Sequence, residues 1–110
     1  MNAKFLGQAM AVWGETKSVR KSRLVNLLKT VFKIYILPSL GNEFVLQLSS
    51  SEFSTFCYEI DTIDLKLEKV LKIFDEAFDA RAKAGTVSAQ TKRNYRSALR
   101  KFFTWLQNQS

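Results

Sequence analysis

Apolar residues recur at three- and four-residue spacing along most of this chain, which is the period of an amphipathic α-helix. The first apolar stripe consists of Phe5, Leu6, Ala9, Met10 and Trp13. It predicts a short helix that ends near Gly14, since glycine is common just past a helix C-terminus. Four glycines and one proline in 110 residues leave little material for hairpin turns, so the composition favours long helices.

A second helix is predicted to begin at Ser18 or Ser22. Its apolar face consists of Leu24, Leu27, Leu28, Val31 and Tyr35, and basic residues occupy much of the remainder. Pro38, the only proline, is predicted to end this helix, because its ring blocks the preceding turn and disfavours the α region for the residue before it. Gly41 follows and allows a backbone φ that other residues resist.

The segment EFVLQLSSSEF, residues 43–53, contains two signals. It alternates briefly between apolar and polar positions, which suggests a short extended segment. Ser49 with Glu52 then forms a capping-box pattern, and Leu48 with Phe53 fits the hydrophobic staple that accompanies one. These positions predict a third helix over about residues 50–60.

The last two predicted helices are the longest. The fourth runs from about Asp64 to Ala84, with Gly85 as its cap, and the fifth runs from Ser88 as N-cap to about Gln107. The stripe of the fourth is Leu67, Val70, Leu71, Phe74, Ala77 and Phe78, and that of the fifth is Tyr95, Leu99, Phe102 and Leu106, flanked by Ala98, Trp105 and Phe103. The predicted fold is all-α, a compact bundle of four to five helices that forms one domain over residues 1–110.

Charge is segregated along the chain. It carries 17 basic and 10 acidic residues, for a net charge of +7 and a pI near 9.8. Residues 1–42 hold seven basic and one acidic side chain, residues 43–79 three basic and nine acidic, and residues 80–110 seven basic and none acidic. Two basic blocks thus flank an acidic middle. This balance points to a polyanionic partner, and to nucleic acid before membrane.

The last helix carries the clearest functional signal. At 100° per residue, Arg93, Arg96 and Arg100 fall within about 60° of one another, away from the centre of the apolar stripe. No acidic residue follows Asp79, so these arginines have no local i,i+4 partner and are predicted to form an unpaired ridge. Such a ridge, with a glutamine and an asparagine beside it, suits a helix set against DNA. Arginine contacts phosphates and guanine, while Gln and Asn read adenine.

The candidate DNA-contacting residues come from the second and last helices. They are Lys17, Arg20, Lys21, Arg23, Lys29, Gln90, Thr91, Lys92, Arg93, Asn94, Arg96, Arg100 and Lys101. Double-stranded DNA is the predicted partner. An ordinary solvated face is the alternative interpretation, and two acid-free basic helices in one small domain weigh against it.

Catalysis and metal binding are poorly supported. The chain has no histidine, so the usual general base and the commonest metal ligand are both missing. Cys57 is the only cysteine; this is typical of a reducing compartment, and its apolar neighbours predict a buried core residue. We therefore expect no catalytic residue, no metal and no cofactor in this chain. No stretch approaches the roughly 20 apolar residues of a membrane span, and no signal peptide is recognised, so we expect a cytoplasmic location.

Two motifs together resemble a known family. The stretch YILPSLGN, residues 35–42, is followed by LQLSSSEFSTF, and the chain closes with SAQTKRNYRSALRKFFTWL. These stretches resemble the core-binding, SAM-like domain of tyrosine recombinases and phage integrases, in which a basic helix ends in a Pro-x-Leu-Gly turn. The residues that match the pattern of the family's other helix are Ser88, Thr91, Tyr95, Leu99, Phe102, Trp105 and Leu106.

The resemblance implies a helical DNA clamp that precedes a separate catalytic domain in the same longer chain. In that family the second and last helices of the clamp approach the major groove, and these are the helices found basic here. The resemblance also implies contacts with other recombinase protomers assembled on DNA. The family's catalytic residues belong to the other domain, so this chain is expected to bind DNA and not to cut it.

Two other functions remain open from the sequence. One is a helical protein-interaction module whose acidic middle docks onto the basic blocks of another copy or of a charged partner. The other places the basic helices on an anionic membrane. Their apolar faces carry residues that the core needs, which argues against the membrane.

Overall fold

The computed structural model describes residues 4–16, 22–82 and 88–108, and it confirms the predicted all-α bundle. Its α-helices are α1 Leu6–Gly14, α2 Ser22–Val31, α3 Leu37–Ser39, α4 Ser50–Cys57, α5 Leu67–Ala82 and α6 Ala89–Gln107. In these three ranges, β-structure is limited to a single antiparallel bridge between Phe5 and Asp61. The predicted cap at Gly85 and the alternative helix start at Ser18 lie outside the described residues.

The predicted apolar stripes meet in one aromatic core. Trp13 of α1 packs edge-on against Phe102 of α6, with ring centroids 5.3 Å apart. Tyr35 makes a similar contact with Phe74 of α5, also at 5.3 Å. Trp13, Phe74 and Phe102 are all buried. Burial of large aromatic side chains contributes strongly to the stability of a small domain, and the core thus holds α1, α5 and α6 together.

Helix α6 runs antiparallel to both α2 and α5. Phe32, just after α2, packs against Phe102, while Tyr35 packs against Tyr95, seven residues earlier on α6. On α5, Phe78 also approaches Tyr95. The helix α6 therefore lies between two partners, and α1 contacts it as well. This position leaves one side of α6 for solvent.

Pro38 does not end the second helix where the sequence predicted. After α2 the backbone passes through a π-helical turn, Phe32–Ile36, and continues as α3, in which Pro38 is the second residue. Proline conflicts with the carbonyl four residues earlier in a regular α-helix. Here the turn is widened, since the Leu37 N–H donates to the Phe32 carbonyl five residues back. The wider turn accommodates the proline, and the helical backbone extends to Ser39.

Gly41 makes the turn that follows. Its φ is +90°, a value that favours glycine, and the prediction for this position is confirmed. The Asn42 N–H donates to the Leu37 carbonyl at 3.0 Å, which closes the end of α3.

The prediction of a short extended segment after Gly41 is wrong. Residues Glu43–Gln47 form a 3₁₀-helix. Val45 is fully buried, whereas Phe44 and Leu46 are 50% and 44% exposed. Successive side chains of a 3₁₀-helix lie about 120° apart, so both neighbours of one buried residue point outward. That arrangement produced the alternation that suggested a strand.

The capping box at the start of α4 is confirmed. The Ser49 hydroxyl accepts the Glu52 N–H at 3.2 Å, and the Ser49 N–H donates to the Glu52 carboxylate at 2.9 Å. Helix α4 ends at Cys57, earlier than predicted. The backbone beyond it pairs with the start of α1, where the Leu6 N–H donates to the Ile60 carbonyl at 2.7 Å.

Helix α5 begins at Leu67 and not near Asp64, because the preceding residues form a separate 3₁₀ turn, Thr62–Asp64. The Asp61 carboxylate accepts the Ile63 N–H at 2.8 Å and caps that turn. Across the part of the chain that the structure describes, no helix is both long enough and apolar enough to cross a membrane.

Candidate nucleic-acid interface

Helix α6 is fixed at its N-terminus by the predicted cap. The Ser88 hydroxyl accepts the Thr91 N–H at 3.1 Å, and the two hydroxyls lie 3.0 Å apart. Thr91 is half-buried. Its polar groups therefore serve the cap, and the structure gives this candidate DNA contact a structural role.

The solvent face of α6 brings together five of the candidate residues. Gln90, Arg93, Asn94, Arg100 and Lys101 are all exposed. A hydrogen-bonded ladder connects the first three of these side chains. The Arg93 guanidinium donates to Gln90 Oε1 at 2.9 Å, and Gln90 Nε2 donates to Asn94 Oδ1 at 3.0 Å. We call these five residues the α6 face.

The three cations of the α6 face have no counter-ion among the described residues. Among the described residues, no carboxylate or other acceptor pairs with the side chains of Arg100 or Lys101, and no carboxylate pairs with Arg93. Exposed, unpaired cations on one helical face are available to a polyanion. The α6 face therefore presents exposed cations without carboxylate partners, as the sequence predicted for Arg93 and Arg100.

The prediction of an unpaired arginine ridge is wrong for Arg96, and Lys92, another candidate DNA contact, is paired as well. Lys92 Nζ lies 2.9 Å from an Asp79 carboxylate oxygen and 4.0 Å from one of Asp75. Arg96 Nη1 donates to both carboxylate oxygens of Asp75. The antiparallel packing of α5 against α6 brings these groups together, across 13 and 21 residues of sequence. Because the partners lie on another helix, the i,i+4 spacing within α6 could not reveal them.

These ion pairs divide the basic side chains of α6 into two groups with different surroundings. The side chains of Lys92 and Arg96 are each 28% exposed, and the Lys92 ammonium also lies 5.8 Å from the centre of the Phe78 ring. They face α5. The arginines at positions 93 and 100 lie on the outer side and are exposed. Two aspartates of α5 are thus functional neighbours that the sequence analysis missed.

The structure describes two of the five candidates on and near α2, Arg23 and Lys29. Lys17, Arg20 and Lys21 lie outside the described residues. Arg23 is exposed, and because α2 is antiparallel to α6 it lies toward the C-terminal end of α6. Lys29 is half-buried and lines a groove toward α4, together with Ser54. Lys29 is therefore separated from the α6 face.

Two core groups have raised pKa values. Burial raises the pKa of the Cys57 thiol to about 12. Burial, and secondarily the neighbouring Tyr95 hydroxyl, raises the pKa of Tyr35. Both groups are held in their neutral forms. In the ranges that the structure describes, no group of three or more His, Cys, Asp or Glu side chains is placed to hold a metal ion.

Comparisons with protein-family models, with curated proteins and with solved structures gave no match to this chain. Its architecture and the chemistry of the α6 face are therefore the basis for a functional assignment.

Proposed function

We propose that this chain is a duplex-DNA-binding domain, and that the α6 face is its principal contact surface. The observation that carries the proposal is the set of exposed cations at Arg93, Arg100 and Lys101, which have no carboxylate partner in the described structure. Two amide side chains accompany them on the same side of the helix. An α-helix about 10–12 Å across fits a major groove about 12 Å wide.

Each side chain of the α6 face has a role that follows from its chemistry. The arginines at 93 and 100 present planar forks that bind a phosphate or the O6 and N7 atoms of guanine. Lys101 contacts phosphate as a point charge. Gln90 and Asn94 exchange their mutual hydrogen bond for bonds to an adenine edge.

Lys92 and Arg96 flank this surface without forming it. The buried Leu99, Phe102 and Phe103 set the rotation of α6 about its own axis, and the ion pairs with α5 form in that arrangement. The same rotation turns the α6 face toward solvent. In this arrangement two of the central carboxylates already neutralise cations of the same chain, which reduces the charge available for docking onto another copy.

The DNA-binding domain is proposed to belong to a tyrosine recombinase or phage integrase. The resemblance of residues 35–42 and 88–106 to the core-binding domain supports this assignment. The absence of histidine from the sequence is consistent with a catalytic domain that lies elsewhere in a longer chain. DNA, that catalytic domain and other protomers on the same DNA are then the partners.

A charge-matched pair of variants tests the surface. The triple variant Arg93→Ala, Arg100→Ala and Lys101→Ala removes three exposed cations from α6. The control Lys66→Ala, Lys69→Ala and Lys72→Ala removes three exposed cations from α5 and the residue before it. We expect the first to weaken binding to a fluorescent duplex by about tenfold or more, because direct phosphate contacts are lost.

The control variant should lose much less affinity, since it changes net charge equally without touching the α6 face. Circular dichroism checks that both variants keep the helical content of the parent. Equal losses of affinity in the two variants would show that net charge, and not this face, governs binding.

A further inference from the structure

A groove between α2 and α4 has its own chemistry. It has a volume of about 340 Å³, at the low end for small-molecule sites. It is lined by Asn26, Lys29, Thr30, Lys33, Ser50, Phe53 and Ser54. The lining thus contains two lysines, an amide and three hydroxyls, but no carboxylate.

Most of these polar groups are free to bind a ligand. In the described structure, the side chains of Asn26, Ser50 and Ser54 have no hydrogen-bond partner, and Lys29 has no ion pair. Lys33 Nζ donates one hydrogen bond, to the Leu48 carbonyl at 2.7 Å, and an ammonium has three donors. The groove therefore presents two ammonium groups and several neutral donors to a single space.

Neighbouring groups do not neutralise the two lysines. The nearest acidic residue in sequence on α4 is Glu52, whose carboxylate is engaged in the capping box. It lies about 160° around the helix from Ser54, at 100° per residue. The Cys57 thiol is not a counter-ion for Lys29 either. Burial raises the pKa of this thiol to about 12, so it stays neutral. Two ammonium groups without a counter-ion in one groove offer an anion charge-assisted hydrogen bonds, which are shorter and stronger than neutral ones.

We propose that the groove between α2 and α4 binds the phosphate group of a small phosphorylated molecule. Lys29 and Lys33 offset the two negative charges of a phosphate monoester, and Ser50, Ser54 and Asn26 donate to its oxygens. Thr30 does not take part as a donor, because its hydroxyl donates to the Asn26 carbonyl at 3.0 Å. This proposal rests only on the side chains that line the groove, and it does not depend on DNA binding by α6.

The site is tested by NMR titration of the whole chain with inorganic phosphate, adenosine 5′-monophosphate and unphosphorylated adenosine. We expect phosphate and the monophosphate to shift the Ser50 and Ser54 amide signals and the Asn26 side-chain amide. Adenosine alone should not shift them. Lys29→Gln should raise the Kd roughly tenfold, since a hydrogen bond to a charged group is lost.

Two further variants make the result decisive. Asn26→Asp adds a carboxylate at an exposed position of the groove and should abolish the shifts, whereas Lys72→Gln on α5 should leave them unchanged. The absence of shifts in the parent chain, or shifts that persist in both groove variants, would overturn the proposal. If duplex DNA shifts these signals and neither phosphate nor the monophosphate does, the proposal is also overturned, and the groove belongs to the DNA contact. The α6 triple variant should bind phosphate normally, which separates this site from the DNA-binding surface.

Discussion

At the scale of single residues, the basic side chains of α6 differ in what they contact and not in their charge. Arg96 lies beside Asp75, while Arg100, one turn later, faces solvent without a partner among the described residues. Both are arginines on the same helix. A partly exposed ion pair contributes about 0–1 kcal/mol to stability, so the main effect of the Arg96–Asp75 pair is to neutralise Arg96 and remove it from the cations available to DNA.

Removing both members of the Arg96–Asp75 pair distinguishes a role of Arg96 in the ion pair from a direct contact with DNA. The double variant Arg96→Ala with Asp75→Ala leaves the net charge unchanged. We expect it to lower the free energy of unfolding by at most about 1 kcal/mol in urea titrations and to retain most of the DNA affinity. Arg100→Ala should weaken DNA binding several-fold without lowering stability. If the double variant loses as much affinity as Arg100→Ala, Arg96 contacts DNA directly.

At the scale of elements, the helices were predictable where one local signal determined them. The Ser49–Glu52 box and the Ser88 cap are complete within four residues of sequence, and both form as predicted. The behaviour of Pro38 was not predictable from its own properties. It depends on the π-helical turn Phe32–Ile36, which ends two residues before it. Phe32, Tyr35 and Ile36 of this turn also lie in the core.

The capping box gives a stability prediction for α4. Ser49→Ala should lower the free energy of unfolding by about 1 kcal/mol, because the Glu52 N–H loses its acceptor. Ser50→Ala, whose hydroxyl makes no hydrogen bond in the described structure, is the control and should have little effect. Urea denaturation of both variants gives the comparison. A cost at Ser50 equal to that at Ser49 would contradict the role of the box.

The same box makes the stability of α4 depend on pH. Hydrogen bonds from the Ser49 backbone, and then from its side chain, lower the pKa of Glu52 below the ordinary glutamate value. A lowered folded-state pKa stabilises the protein at pH values above the ordinary pKa, and the stabilisation is lost as pH falls through the folded value. Glu52→Gln should therefore reduce the loss of stability on acidification.

At the scale of the whole molecule, the three charge blocks of the sequence do not become three separate surfaces. The acidic middle contributes Asp75 and Asp79 to the flank of the basic last helix. The sequence showed the blocks but not their contacts, because these pairs depend on how α5 and α6 fold back on each other. The groove beside Lys29 could not be predicted for the same reason, since α4 supplies three of its seven lining residues.

The salt dependence of duplex binding tests the central claim, that the free cations of α6 contact DNA phosphates. Each neutralised phosphate contributes about −0.9 to the slope of log K against log salt. Fluorescence anisotropy across a salt series should therefore give a slope that is smaller in magnitude by about 2–3 for the variant Arg93→Ala, Arg100→Ala and Lys101→Ala than for the parent chain. The Lys66, Lys69 and Lys72 variant should keep the parent slope. Identical slopes for the parent and the α6 variant would contradict the account.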